Sequence, residues 1–120
     1  LMHSGTELPK VLPDTCLLDA IREISHKALG MTAVVDEQDN VLGILTEGDL
    51  RRLIEQIGDI RNVKIGDVMT KSPKTIAPKE LAATAAKLLS DYRCNQLLVV
   101  DGNKLVGAIS MHDLMRARII

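Results

Sequence analysis

The chain has 120 residues, of which 46% are hydrophobic, and a formal net charge of −1. That length suits one ordinary domain or two very small units sharing a core, and the apolar fraction excludes a chain that is disordered throughout. The charge gives no pull towards nucleic acid or an anionic membrane, and no apolar run approaches the roughly 20 residues of a spanning helix.

In chain order, Leu1-Met2-His3-Ser4 opens without an initiator Met, so a piece of a longer protein is expected; no signal peptide is visible. Residues 10–12 read as a short extended piece ending at Pro13. Asp14-Thr15 can cap a helix whose apolar stripe is Leu17, Leu18, Ile21, Ile24 and Ala28. Two β-rich runs, 31–35 and 41–45, flank the polar turn 36–40, and a helix over 47–57 follows. Residues 58–64 serve as a connector.

The pattern then recurs. An extended piece at 75–77 precedes Pro78 and a helix with the stripe Leu81, Ala85, Leu88 and Leu89. Strand-like runs at 97–100 and 104–109 bracket Asp101-Gly102-Asn103, and a last helix runs from 111 to about 118. Pro13, Ala20, Ser25 and Val34-Val35-Asp36 fall on Pro78, Ala85, Ser90 and Val99-Val100-Asp101 at an offset of 65. After one residue is lost in the turn, Gly43, Thr46, Asp49, Leu50 and Arg52 fall on Gly107, Ser110, Asp113, Leu114 and Arg116 at an offset of 64. The expected fold is therefore α/β (α+β), as two β-α-β-β-α repeats, 1–60 and 61–120. A three-stranded sheet buries its own faces poorly, so the repeats are expected to pack about a pseudo-twofold axis.

The chemistry concentrates where the fifth element of each repeat begins. Thr46-x-x-Asp49 and Ser110-x-x-Asp113 are capping boxes with Asp in place of Glu, and capping alone accounts for them. The same residue types also suit a ribonucleotide. A helix N-terminus offers N–H groups and partial positive charge to a phosphate, and a hydroxyl can add a hydrogen bond. A carboxylate can accept from both hydroxyls of a ribose diol, Gly43 and Gly48 would admit close backbone approach, and Arg51 or Arg52 can meet a phosphate. With no Phe or Trp and one Tyr, a flat base would rest on aliphatic side chains or Met.

The two stretches Gly43-Ile44-Leu45-Thr46-Glu47-Gly48-Asp49-Leu50 and Gly107-Ala108-Ile109-Ser110-Met111-His112-Asp113-Leu114 resemble the signature of CBS (cystathionine-β-synthase-type) domains. Asp67-Val68-Met69-Thr70 is similar to the opening of a CBS repeat, and Leu1-Met2-His3-Ser4 to its first copy. The resemblance spans the chain and implies a tandem pair, a regulatory module that often binds adenosyl nucleotides. Asp49 and Asp113 would then hold ribose hydroxyls, with Thr46 and Ser110 near phosphate. Leu-Met-His-Ser-Gly, Leu-Gly-Met-Thr (29–32), Thr-Glu-Gly-Asp-Leu-Arg-Arg (46–52) and Met-His-Asp-Leu (111–114) further resemble the CBS tail of bacterial arabinose-5-phosphate isomerases of the SIS type. That resemblance implies a cytoplasmic homo-oligomer whose catalytic SIS domain belongs to the same parent chain, so this stretch alone would not catalyse. It also suggests the ligand: CMP-Kdo, the activated sugar of the Kdo pathway, or AMP or ATP. Met31, Thr32 and His112 join Thr46, Asp49, Arg52, Ser110 and Asp113 as candidate contacts. The rival is a structural or oligomerisation module with no ligand, needing no cofactor.

Other residues carry less. His3, His26 and His112 lack metal-ligand spacing with one another or with the cysteines, and His26 is expected on a solvated helix face. Cys16 and Cys94 read as small core residues of a reducing compartment. No Ser/His/Asp or Cys/His arrangement points to catalysis.

Overall fold

The computed structural model describes residues 4–27, 29–80, 82–91 and 95–116; Met2, His3, Ala28, Leu81 and Cys94 lie outside them. The chain divides into two compact units, Pro9–Pro73 and Leu1–Leu8 with Lys74–Ile120.

In the Pro9–Pro73 unit the elements run β1 (Lys10–Val11), α1 (Leu17–Lys27), β2 (Met31–Val35), β3 (Val41–Thr46), α2 (Glu47–Ile57) and β4 (Thr70–Lys71). They form one sheet in the order β1-β2-β3-β4, parallel between β1 and β2 and antiparallel elsewhere. Strand β2, Met-Thr-Ala-Val-Val with three β-branched residues, lies between β1 and β3 and is buried along its whole length. Leu17, Ala20 and Ile24 of α1 meet Val34, Leu45 and Ile65 in the core. The spacing i, i+3, i+7 is one helix face. Leu18, expected on that stripe, is 40% exposed, because a step of one residue turns it about 100° away; Ala20 takes its place. The helix also starts later than expected. Asp19 and Ala20 donate to the Cys16 carbonyl, so Cys16, not Asp14-Thr15, takes the cap position. Cys16 is half-buried, and its Sγ donates to Asp19 Oδ2 at 3.2 Å.

The stretch after α2 does more than connect. Leu17 N–H bonds the Val63 carbonyl at 2.8 Å, and Ile65 N–H bonds that of Thr15 at 2.9 Å. A 3-10 turn at Ile65–Asp67 buries Ile65 completely, and β4 then pairs with β3. This fourth strand, absent from the sequence reading, covers an edge of β3 that would otherwise present unpaired backbone groups.

The 36–40 turn is held by Asp36, whose Oδ1 accepts from the N–H groups of Gln38 and Asn40, both at 2.9 Å. The Asn40 N–H bond, above all, holds the Asp36 carboxyl below the ordinary value of 3.8. A depressed folded value means stability that is present above 3.8 and lost as the pH falls through the lower folded value. Urea midpoints at pH 6 and pH 3 should therefore fall less in Asp36→Asn than in the native chain; equal falls would contradict this turn's role.

The other unit orders β5 (Thr75–Ile76), α3 (Ala82–Asp91), β6 (Gln96–Asp101), β7 (Lys104–Ser110) and α4 (Met111–Arg116). Its sheet runs β5-β6-β7, with the first pair parallel and the second antiparallel. Ala85, Ala86 and Leu89 of α3 pack with Ile76, Leu97, Val99 and Leu114. The β6–β7 hairpin closes through Gly102 at φ +68°, a conformation that favours glycine. A register shift between Val99 and Val100 mirrors the one between Val34 and Val35, so the repeat persists in a local irregularity.

Candidate functional site

Each repeat ends in a strand that runs directly into a helix. Thr46, at φ −99° and ψ 165°, is the N-cap of α2; its Oγ1 accepts from Asp49 N–H at 3.1 Å. In return Asp49 Oδ2 accepts from Thr46 N–H at 3.1 Å, completing the capping box. The Glu47 N–H bonds the Gly30 carbonyl at 3.0 Å. Three of the four amides from Thr46 to Asp49 are thus taken; the fourth, that of Gly48, has no assigned acceptor among the described residues. Arg52 Nη2 bonds Asp49 Oδ1, and Thr70 Oγ1 stands 3.5 Å from Oδ2.

The second copy repeats this geometry. Ser110 Oγ accepts from Asp113 N–H at 3.1 Å, and Asp113 Oδ2 accepts from Ser110 N–H at 2.9 Å. Met111 N–H bonds the Asn95 carbonyl at 2.7 Å, and Arg116 Nη2 bonds Asp113 Oδ1 at 3.0 Å. Two differences separate the copies. Ser110 Oγ also donates its proton to Asp113 Oδ2, at 2.8 Å, whereas among the described contacts Thr46 Oγ1 only accepts. The Asp113 side chain is 5% exposed and that of Asp49 22%. The Asp49 carboxylate is the more exposed of the two.

Of the remaining candidates, Met31 stands directly opposite Thr46 in the β2–β3 register and is buried. Thr32 pairs with Leu45, is fully buried, and donates its hydroxyl to the Ala33 carbonyl at 3.2 Å. Adjacent strand residues point to opposite faces, so these two do not share a surface. His112 lies within α4, with its side chain outside the described ones; His26 is exposed. Gly43 has a use the sequence did not reveal. A Cβ there would lie 2.6 Å from Met69 Sδ and 2.7 Å from the Thr70 carbonyl oxygen, so glycine is required by the crossing of β4. Thr70 was also missed as a neighbour of Asp49, for its only local signal was the Val-Met-Thr opening.

Two open clefts, of about 360 and 440 Å3, flank the 36–40 turn and share Leu12, Asp36 and Glu37. They lie at the far end of the β2–β3 hairpin from Thr46, and Lys10, on the wall of the first, is already paired with Asp39 at 3.0 Å. Carboxylate-rich walls disfavour a phosphate. Among the described residues no cluster of three or more His, Cys, Asp or Glu could hold a metal, and no helix is long and apolar enough to cross a membrane.

Known proteins share both the pattern and the fold. The chain is 43% identical over 120 residues to arabinose 5-phosphate isomerase KdsD of Yersinia pestis, and 46% over 121 residues to that of Pseudomonas aeruginosa. All of this chain is covered in both, but only 37% of each relative. Among solved structures, CBSX2 in complex with AMP matches with a TM-score of 0.83 and 28% identity, over 98% of this chain and 92% of that one. A putative signal-transduction protein with CBS domains from Burkholderia ambifaria matches with a TM-score of 0.83 and 30% identity, over 93% and 82%. The CBS domain pattern itself matches residues 2–56 and 65–120. The chain therefore belongs to the CBS domain family, as a tandem pair corresponding to the CBS region of the KdsD isomerases.

Proposed function

We propose that this CBS pair is the nucleotide-sensing regulatory region of an arabinose-5-phosphate isomerase, and that the Thr46–Asp49 signature is where the nucleotide binds. The observation that carries this reading is the meeting, at the first turn of α2, of an amide without an assigned acceptor (Gly48), a hydroxyl, a carboxylate and a guanidinium. Phosphate suits the amide and hydroxyl; a ribose diol suits the carboxylate. The AMP bound by CBSX2 supports an adenine nucleotide. The KdsD relatives support CMP-Kdo, which offers a ribose, one phosphate and a sugar carboxylate. Residues 1–60 and 61–120 are the two repeats, the parent is a cytoplasmic homo-oligomer, and its SIS domain does the catalysis. Regulation follows if the nucleotide favours one arrangement of those catalytic domains.

A structural module without ligand is the competing reading, favoured by the completeness of both capping boxes. Ile54 and Ile57, one turn apart on α2 and each 45% exposed, suit a subunit contact. Thermal melts over AMP, ATP, CMP and CMP-Kdo separate the readings. A ligand at 100 times its Kd adds about 2.7 kcal/mol, an upshift on the order of 10 °C for this size. Asp49→Asn should remove that shift while the unliganded chain loses no more than about 1 kcal/mol. A flat panel would leave the structural reading standing.

A further inference from the structure

We propose that Arg52 makes this site select a phosphorylated nucleoside over the bare nucleoside; the inference rests on the nucleotide reading above. Glu47 and Asp49 place two carboxylates in the first turn of α2, beside the Gly48 amide. An anion drawn to that amide meets their negative charge, and one helix terminus offsets this only in part. Arg52 is the cation in place to complete the balance. Its guanidinium is tied to Asp49 Oδ1 through Nη2. It also stands over Gly48, since a Cβ at that residue would lie 3.7 Å from Nη1 and 3.9 Å from Nη2.

A Cβ at 48 would only touch the guanidinium at ordinary van der Waals distance, so Arg52 lies within reach of a group held at the Gly48 amide. The Arg52 side chain is 65% exposed, so its pairing with Asp49 is weak, and among the described contacts only Nη2 of the fork is engaged. A phosphate at Gly48 takes the guanidinium either alongside Asp49 or away from it. A bare nucleoside uses Asp49 without calling on Arg52. Arg51 carries the same charge one residue earlier and is exposed, and among the described residues no ion pair joins it to Asp49.

The test is calorimetric titration of the 120-residue chain with the pairs AMP/adenosine and CMP/cytidine, for the native sequence, Arg52→Met and Arg51→Met. Arg52→Met should weaken the nucleotide by roughly tenfold to a hundredfold and change the nucleoside by less than about threefold. Arg51→Met should move neither by more than about threefold. The proposal is overturned if Arg52→Met weakens both members of a pair equally, which would make Arg52 only a support for Asp49. It is also overturned if the nucleotide is unaffected or if Arg51→Met reproduces the loss. A native chain that binds none of the four probes refutes the nucleotide reading itself, and this proposal with it.

Discussion

Gly43→Val should destabilise the Pro9–Pro73 unit by about 3 kcal/mol. Of the neighbours a Cβ at 43 would strike, Met69 Sδ can swing aside, but the Thr70 carbonyl at 2.7 Å is backbone and part of the β3–β4 pairing. The strain is relieved only if β4 lifts away, exposing the edge of β3 and withdrawing Thr70 from Asp49. Urea denaturation should show the loss as a lower midpoint, and Gly43→Ala should show a smaller one. A change under about 0.5 kcal/mol, the range of an indifferent surface substitution, would contradict the assigned packing.

The second large effect is a contrast between two matched substitutions. Asp113→Asn should cost about 2 kcal/mol, and Asp49→Asn about 1 kcal/mol or less. Both residues close a capping box and hold an arginine three residues on. However, Asp113 is buried, and its Oδ2 alone receives both the N–H and the hydroxyl of Ser110. An amide in its place must turn a donor towards one of these donors or towards Arg116. At Asp49 the partly exposed site lets water replace the lost acceptor. The arginines add little to either figure, because their side chains are 65% and 64% exposed. Equal costs at the two positions would refute the asymmetry between the copies.

Much of this arrangement was legible in the chain itself. The bounds of β2 and α2 follow from a β-branched run and from Thr46 capping a 3.6-residue pattern, and both copies of the signature share one geometry. What escaped depends on distant partners. Strand β4 is two residues long and has no periodicity to read; only β3 makes it a strand. Gly43 suited close approach to a ligand as well as to Met69, and sequence cannot say which neighbour arrives. Apolarity alone puts Leu18 in the core, but the face of α1 is chosen by Val34, Leu45 and Ile65 packed against it. The Thr70–Asp49 contact joins residues 21 positions apart through β4, so nothing local announces it.

If the first signature is the nucleotide site and the second chiefly a cap, Asp49 and Asp113 should differ in binding as well as in stability. Calorimetric titration of the native chain, Asp49→Asn and Asp113→Asn with AMP and CMP-Kdo reads that difference. Saturable binding of at least one of these by the native chain is expected, with its loss in Asp49→Asn and its retention in folded Asp113→Asn. Binding that survives Asp49→Asn and disappears in folded Asp113→Asn, or no binding by the native chain, would contradict that assignment.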